Sequence, residues 1–108
     1  MDSLEQIKVS LQSNPNLNES ICTKLFELVN IFHKKMPNVN LSILNEKLKT
    51  VKLVKLSRFE KKGVYFYDLF KNEIAFSSDL KGNYDIDHLL MKAILEMSTA
   101  TSSYTGFN

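Results

Sequence analysis

The sequence contains no tryptophan, one cysteine (Cys22), one arginine (Arg58), two prolines and three glycines. Each scarcity excludes something. With Cys22 alone, no internal disulfide can form and no cysteine cluster can hold zinc. Three scattered glycines cannot build a phosphate-cradling glycine-rich loop. So few glycines and prolines leave little room for long linkers. No apolar run approaches the ~20 residues needed to cross a bilayer. The start, Met1-Asp2-Ser3-Leu4-Glu5, lacks the basic region and apolar stretch of a signal peptide. A soluble cytoplasmic protein with no membrane contact is expected.

The residues present have ordinary globular composition: 44% hydrophobic and 24% charged in a chain of 108. That length suits one domain, 1–108. The net charge of +2 is unevenly spread. Residues 1–46 carry −1 and residues 63–108 carry −3. Residues 47–62 carry +6, from Lys47, Lys49, Lys52, Lys55, Arg58, Lys61 and Lys62 against Glu60. Thirteen of the fourteen basic residues are lysine and asparagine is abundant, a bias that reads as genome base composition.

Periodicity and cap chemistry predict the elements in order. A first helix over about 3–13 has Leu4, Ile7 and Leu11 on one face. Ser3 with Gln6 forms a capping box at its start, and Asn14-Pro15 ends it. A second helix over about 17–36 carries the core stripe Ile21, Leu25, Leu28 and Phe32, widened by Cys22, Phe26 and Val29. Asn16 with Glu19 is its expected capping box, and Met36-Pro37 its stop. Leu41, Leu44 and Leu48 predict a third helix over about 41–49. The pattern then turns β-branched and alternating, predicting strands at about 51–59, 64–70 and 73–77. Glu60-Lys61-Lys62-Gly63 is the expected turn between the first two. Lys71-Asn72 is expected to close the next hairpin, because asparagine tolerates positive φ. A last helix over about 85–99 is expected to fray into the Ser, Thr and Tyr beyond it. The predicted fold is α+β: N-terminal helices, a small three-stranded antiparallel sheet and a central C-terminal helix. Leu25, Phe32, Phe66, Phe76, Leu90 and Ile94 are the expected core.

The last helix is apolar over most of its girth. At 100° per residue, Ile86, Leu89, Leu90, Ala93, Ile94 and Met97 share one face. Met91 and Leu95 fall almost opposite, leaving a narrow polar strip of Asp85, His88, Lys92, Glu96 and Thr99. Such a helix is covered on two sides: either it is central to the fold, or part of it meets another protein chain, with Met91, Leu95, Tyr104 and Phe107 as the candidate contacts.

Other candidate chemistry is sparse. His33 and His88 lie on different helices without ligand spacing, and each reads more simply as a surface or packing histidine. Cys22, beside Ile21 on a helical face, reads as a small buried apolar residue rather than a nucleophile. The basic stretch and the adjoining Tyr65, Phe66 and Tyr67 admit nucleic-acid contact through Lys52, Lys55, Arg58, Lys61 and Lys62. Lys62-Gly63-Val64-Tyr65-Phe66 is faintly like a sheet-borne RNA-binding motif, but valine takes a stacking position and no strand precedes the first helices. Lysines alternating with Leu53, Val54 and Leu56 are more simply the solvated face and edge protection of a strand.

From about Leu44 to Phe107 the chain resembles the zincin family of zinc peptidases, which place a β-hairpin with an edge strand before a helix bearing H-E-x-x-H. Leu48–Leu53, Gly63–Tyr67 and Asn72–Phe76 look like that lead-in. The next helix contains Ile94-Leu95-Glu96-Met97-Ser98-Thr99-Ala100, and the tail from Thr101 to Phe107 resembles the segment after the motif in some small zincin-like proteins. In that alignment Leu95 and Thr99 replace the two histidines and only Glu96 matches. Two imidazoles at i and i+4 chelate zinc while the glutamate polarises water; leucine has no donor atom, and threonine is not a usual zinc ligand. The chain ends soon after Thr99, so little is expected to supply a third ligand. The resemblance therefore implies a degenerate, truncated relative with no catalytic residue, metal or cofactor. A non-catalytic protein-binding or structural subunit is the leading expectation. A nucleic-acid-associated protein is the alternative, and an inactive metallopeptidase the second.

Overall fold

In a computed structural model, residues 3–56, 65–77 and 82–107 are described, with side chains at 3–55, 67–76 and 86–99. The architecture is α+β. Helices α1 (Leu4–Ser13), α2 (Glu19–Lys35) and α3 (Leu41–Leu48) precede strands β1 (Lys52–Leu56), β2 (Tyr65–Asp68) and β3 (Glu73–Ser77), and α4 (Gly82–Phe107) comes last.

Helix starts are set by local hydrogen-bond chemistry. At α1 the Gln6 N–H donates to Ser3 Oγ (3.4 Å) while the Ser3 N–H donates to Gln6 Oε1 (2.9 Å), the reciprocal box expected there. At α2 the cap is Asn18 rather than Asn16: its Oδ1 accepts from the Ile21 N–H at 2.8 Å. Asn16 is engaged elsewhere, donating through Nδ2 to the Thr50 carbonyl at 3.1 Å, which moves the helix start beyond Leu17. Asn40 caps α3 through the Ser42 N–H.

The sheet departs from the expected all-antiparallel arrangement. Its order is β1-β3-β2. β3 pairs antiparallel with β2 but parallel with β1, so β1 and β2 are not the neighbours that the sequence suggested. The cause is where β1 begins. The Asn72 Nδ2 donates to the Lys47 carbonyl (2.8 Å) and to Thr50 Oγ1 (3.0 Å), and the Lys52 N–H donates to the Asn72 carbonyl (3.3 Å). These bonds place the start of β1 beside the start of β3, so the two strands run the same way. Asn72 has φ 53°, the left-handed conformation the sequence suggested for that turn.

Several boundaries move for identifiable reasons. β2 ends at Asp68, whose carboxylate accepts from the Lys71 N–H at 3.1 Å. That Asx-type turn removes Leu69 and Phe70 from the strand. The predicted continuation of β1 to Phe59, the Glu60–Gly63 turn and the strand position of Val64 lie outside the described residues. Helix α4 is longer than expected at both ends and continues through Thr101-Ser102-Ser103 to Phe107. No proline interrupts it, and serine and threonine each cost helix only a fraction of a kcal/mol.

One hydrophobic cluster joins every layer. Ile7 and Leu11 of α1, Leu25, Val29 and Phe32 of α2, Leu44 and Leu48 of α3, and Ile74 of β3 meet Leu89, Leu90, Ala93, Ile94 and Met97 of α4. Among the predicted core residues, Leu25, Phe32, Leu90 and Ile94 are buried and Phe76 packs partly buried against the cluster. The Phe66 side chain lies outside the described set. α4 packs on α2, α3 and β2, the central placement its composition implied.

The α1–α2 loop and the α3–β1 junction are fastened by Asn14. Its Nδ2 donates to both the Leu48 carbonyl (3.0 Å) and the Val51 carbonyl (2.9 Å), and its Oδ1 accepts from the Asn16 N–H (2.8 Å). Asn14 is 3% exposed, so water cannot replace these partners readily. Asn14→Asp keeps the shape but removes the donor. It is expected to destabilise the fold by about 2–6 kcal/mol, from roughly 1–3 kcal/mol for each of the two carbonyls stranded. Urea unfolding measures this, and a loss below ~0.5 kcal/mol would show that the clamp contributes little.

Candidate functional site

α4 carries Met91, Leu95, Glu96 and Thr99, the positions to which the sequence assigns partner contact or the zincin motif. Over its described side chains, Leu89, Leu90, Ala93, Ile94, Met97 and Ser98 are buried, while His88, Lys92, Leu95 and Thr99 are exposed. At 100° per residue the exposed four fall within one arc of about 60°. Met91 flanks that arc but is half-buried and packs against the core. Met91 and Leu95 therefore do not form a fully exposed second apolar face: the domain covers Met91, while Leu95 stays 43% exposed. The side chains of Tyr104 and Phe107 lie outside the described set, although both positions are within α4.

Leu95 and Thr99, the positions aligned with zincin histidines, lie one helical turn apart on this strip. Thr99 Oγ1 donates to the Leu95 carbonyl at 3.0 Å, and Ser98 Oγ donates to the same carbonyl at 2.9 Å. Both hydroxyls are thus turned onto backbone. Among the described residues no three His, Cys, Asp or Glu side chains converge as a metal-binding group.

On either side of the strip, α4 is held by polar contacts. Asp87 pairs with Lys24 of α2 at 3.1 Å. Toward the sheet, Glu96 lies close enough to Tyr67 to bear on its ionisation. The Tyr67 hydroxyl is pushed up to about 12 by burial first, with the Glu96 and Asp68 charges adding to it, and it donates to Asn72 Oδ1. Glu96 itself is half-buried.

The basic segment is less open than its sequence suggests. Lys52 pairs with Glu73 (3.3 Å), its register partner on β3, and Lys49 with Glu46 (3.2 Å). Lys55 is exposed and Lys47 half-buried. Arg58, Lys61 and Lys62 lie outside the described residues. Of the aromatics proposed to stack on bases, Tyr67 is 8% exposed and belongs to the core; the side chains of Tyr65 and Phe66 are outside the described set. β1 lies at the sheet edge, where lysines also discourage unwanted strand pairing.

Exposed apolar side chains that periodicity did not single out are Val9, Ile31, Met36 and Phe70, the last 82% exposed. The signal for Phe70 was available in Asp68, whose side chain closes the turn and carries the next residues away from the sheet. Among the described residues no helix is long and apolar enough to cross a membrane.

The Tyr67 environment gives a pH dependence. Between its ordinary value near 10 and its folded value of about 12, the unfolded chain has lost the phenolic proton and the folded chain retains it. Stability that is complete below pH ~10 therefore falls as pH rises toward 12. The ultraviolet difference titration of the native protein against Tyr67→Phe is expected to show a phenolate forming near pH 12; a difference signal centred at pH ~10 would contradict the packing described.

Comparison with protein families, with curated proteins and with solved structures finds no match to this chain.

Proposed function

We propose that this chain is a non-catalytic, cytoplasmic protein-binding module, a structural subunit that meets another chain through α4. The observation carrying the reading is Leu95: a large apolar side chain held 43% exposed in mid-helix, on a strip where its neighbours are His88, Lys92 and Thr99. Exposed apolar side chains at the centre of a polar rim are favoured contact points. Tyr104 and Phe107 further along α4 are proposed to extend the contact, with half-buried Met91 as its support.

The zincin resemblance fits the same reading. The β2–β3 hairpin directly precedes α4, as that family's lead-in does, and Leu95 and Thr99 occupy the ligand positions. The resemblance then means a former metal face converted to a binding face. Elemental analysis of the purified chain is expected to find no stoichiometric zinc. One tightly bound zinc per chain would revive the peptidase alternative.

Nucleic-acid binding through 47–62 is the competing function, and local pairing of Lys49 and Lys52 works against it. Such binding would weaken steeply with salt as counterions are released.

Leu95→Asp separates the partner reading from a purely structural role. Because Leu95 is substantially exposed, the variant is expected to fold with a melting temperature within a few degrees of wild type. It is also expected to lose the chain that co-purifies with the wild-type protein from its native extract. Retention of that chain at wild-type level, or outright unfolding of the variant, would overturn the proposal.

A further inference from the structure

We infer that the groove between α1 and α2 is a docking site for a basic amphipathic helix of another protein. This surface is separate from the Leu95 strip, and the inference does not rest on the α4 reading. The groove encloses about 620 Å³. Its floor is apolar: buried Leu11 and Cys22, with half-buried Leu17 and Phe26. The Cys22 thiol donates to the Leu11 carbonyl at 3.0 Å. Burial first, and the Glu19 charge second, hold its pKa above the ordinary thiol value, so it behaves as floor rather than as a nucleophile.

The walls select the occupant. Glu19, Thr23 and Glu27 lie along one side at i, i+4 and i+8, a line about 12 Å long on one helix face. Both glutamates are exposed. Among the described residues neither forms an ion pair, whereas Glu46, Glu73 and Asp87 all do. The cation on the opposite wall, Lys8, lies over the Phe26 ring at 5.7 Å from its centroid.

A helix laid along this trough would place apolar side chains at i, i+3 or i+4, and i+7 on Leu11, Leu17 and Phe26. Its flanking lysines or arginines, two turns apart, would meet Glu19 and Glu27, as in the flank pairing of coiled coils. An extended strand finds no backbone to pair with, because both walls are helices. A second copy of this chain fits less well. Its own basic stretch, 47–62, includes β1 and so presents its lysines partly along a strand rather than a helix.

The test uses two synthetic helical peptides of about 18 residues, long enough to hold helix when docked. They share one leucine stripe and differ only in carrying lysine or glutamate along one flank. With isotope-labelled full chain, the lysine peptide is expected to give saturable shifts centred on the Leu11, Leu17, Cys22 and Phe26 amides. It is expected to bind at least tenfold tighter than its glutamate twin. The double variant Glu19→Lys, Glu27→Lys should invert that preference. Glu27→Lys alone should weaken the lysine peptide while leaving the α2 N-terminus intact, and Leu95→Asp should leave its binding unchanged. Equal affinity for both peptides, shifts centred on α4, or no saturable shift overturns the inference.

Discussion

The α3–β1 junction is the constraint on which the arrangement of layers depends. α3 ends without a glycine to turn its chain, and the Thr50 and Val51 N–H groups close its end by donating to the Lys47 carbonyl. Two asparagine side chains from distant parts of the sequence add long-range donors at this junction: Asn14 at the Leu48 and Val51 carbonyls, and Asn72 at the Lys47 carbonyl. Asn14 thereby ties the end of α1 to the beginning of the sheet. Asn72 ties the beginning of β3 to the same few residues. The direction of β1 relative to β3, and hence the sheet order, results from that convergence.

A fold gathered at this junction leaves α4 to complete the core. Leu89, Leu90, Ala93, Ile94 and Met97 present a continuous buried face, and the helix bridges α2, α3 and the sheet. Lys24–Asp87 on one flank and Glu96 near Tyr67 on the other mark where polar groups take over from packing. Each exposed ion pair contributes little by itself, typically 0–1 kcal/mol, so burial rather than charge holds α4 in place. The same burial sets the chemistry of the remaining surface. Once Met91 is drawn against the core, Leu95 is left as the large apolar side chain on the outward strip, surrounded by His88, Lys92 and Thr99.

The two surfaces proposed to bind other chains differ in kind. The α4 strip is a convex ridge with one apolar centre. The α1–α2 groove is concave, with an apolar floor and an acidic wall. Charge distinguishes them: Glu19 and Glu27 line the groove, whereas His88 and Lys92 flank Leu95 on α4. The basic character of 47–62 is partly consumed within the fold, since Lys52 lies opposite Glu73 across the β1–β3 register.

Local chemistry was legible in the residues. Ser3 with Gln6 dictated the start of α1, Asn72 the tight turn before β3, and the i, i+3, i+4 spacing of Leu25, Leu28, Val29 and Phe32 the inward face of α2. The cover over Cys22 and the centrality of α4 came from apolar periodicity in the same way. These features depend on neighbours within a turn or two, where backbone geometry alone decides who meets whom. The roles of Asn14, Asn16 and Asn72 as clamps were not legible, because an asparagine that bonds a carbonyl over 20 residues away looks identical in sequence to one exposed in a loop. For the same reason adjacency suggested β1 beside β2. A strand's partner is chosen by where its ends are held in three dimensions, and alternation specifies a face but no neighbour. The sequence by itself determined the order of the elements, the cap of α1 and most of the inward faces. Only the tertiary structure decided the parallel β1–β3 pairing, the partial burial of Met91 against the exposure of Leu95, and the groove between α1 and α2, since each depends on long-range hydrogen bonds or on packing between elements.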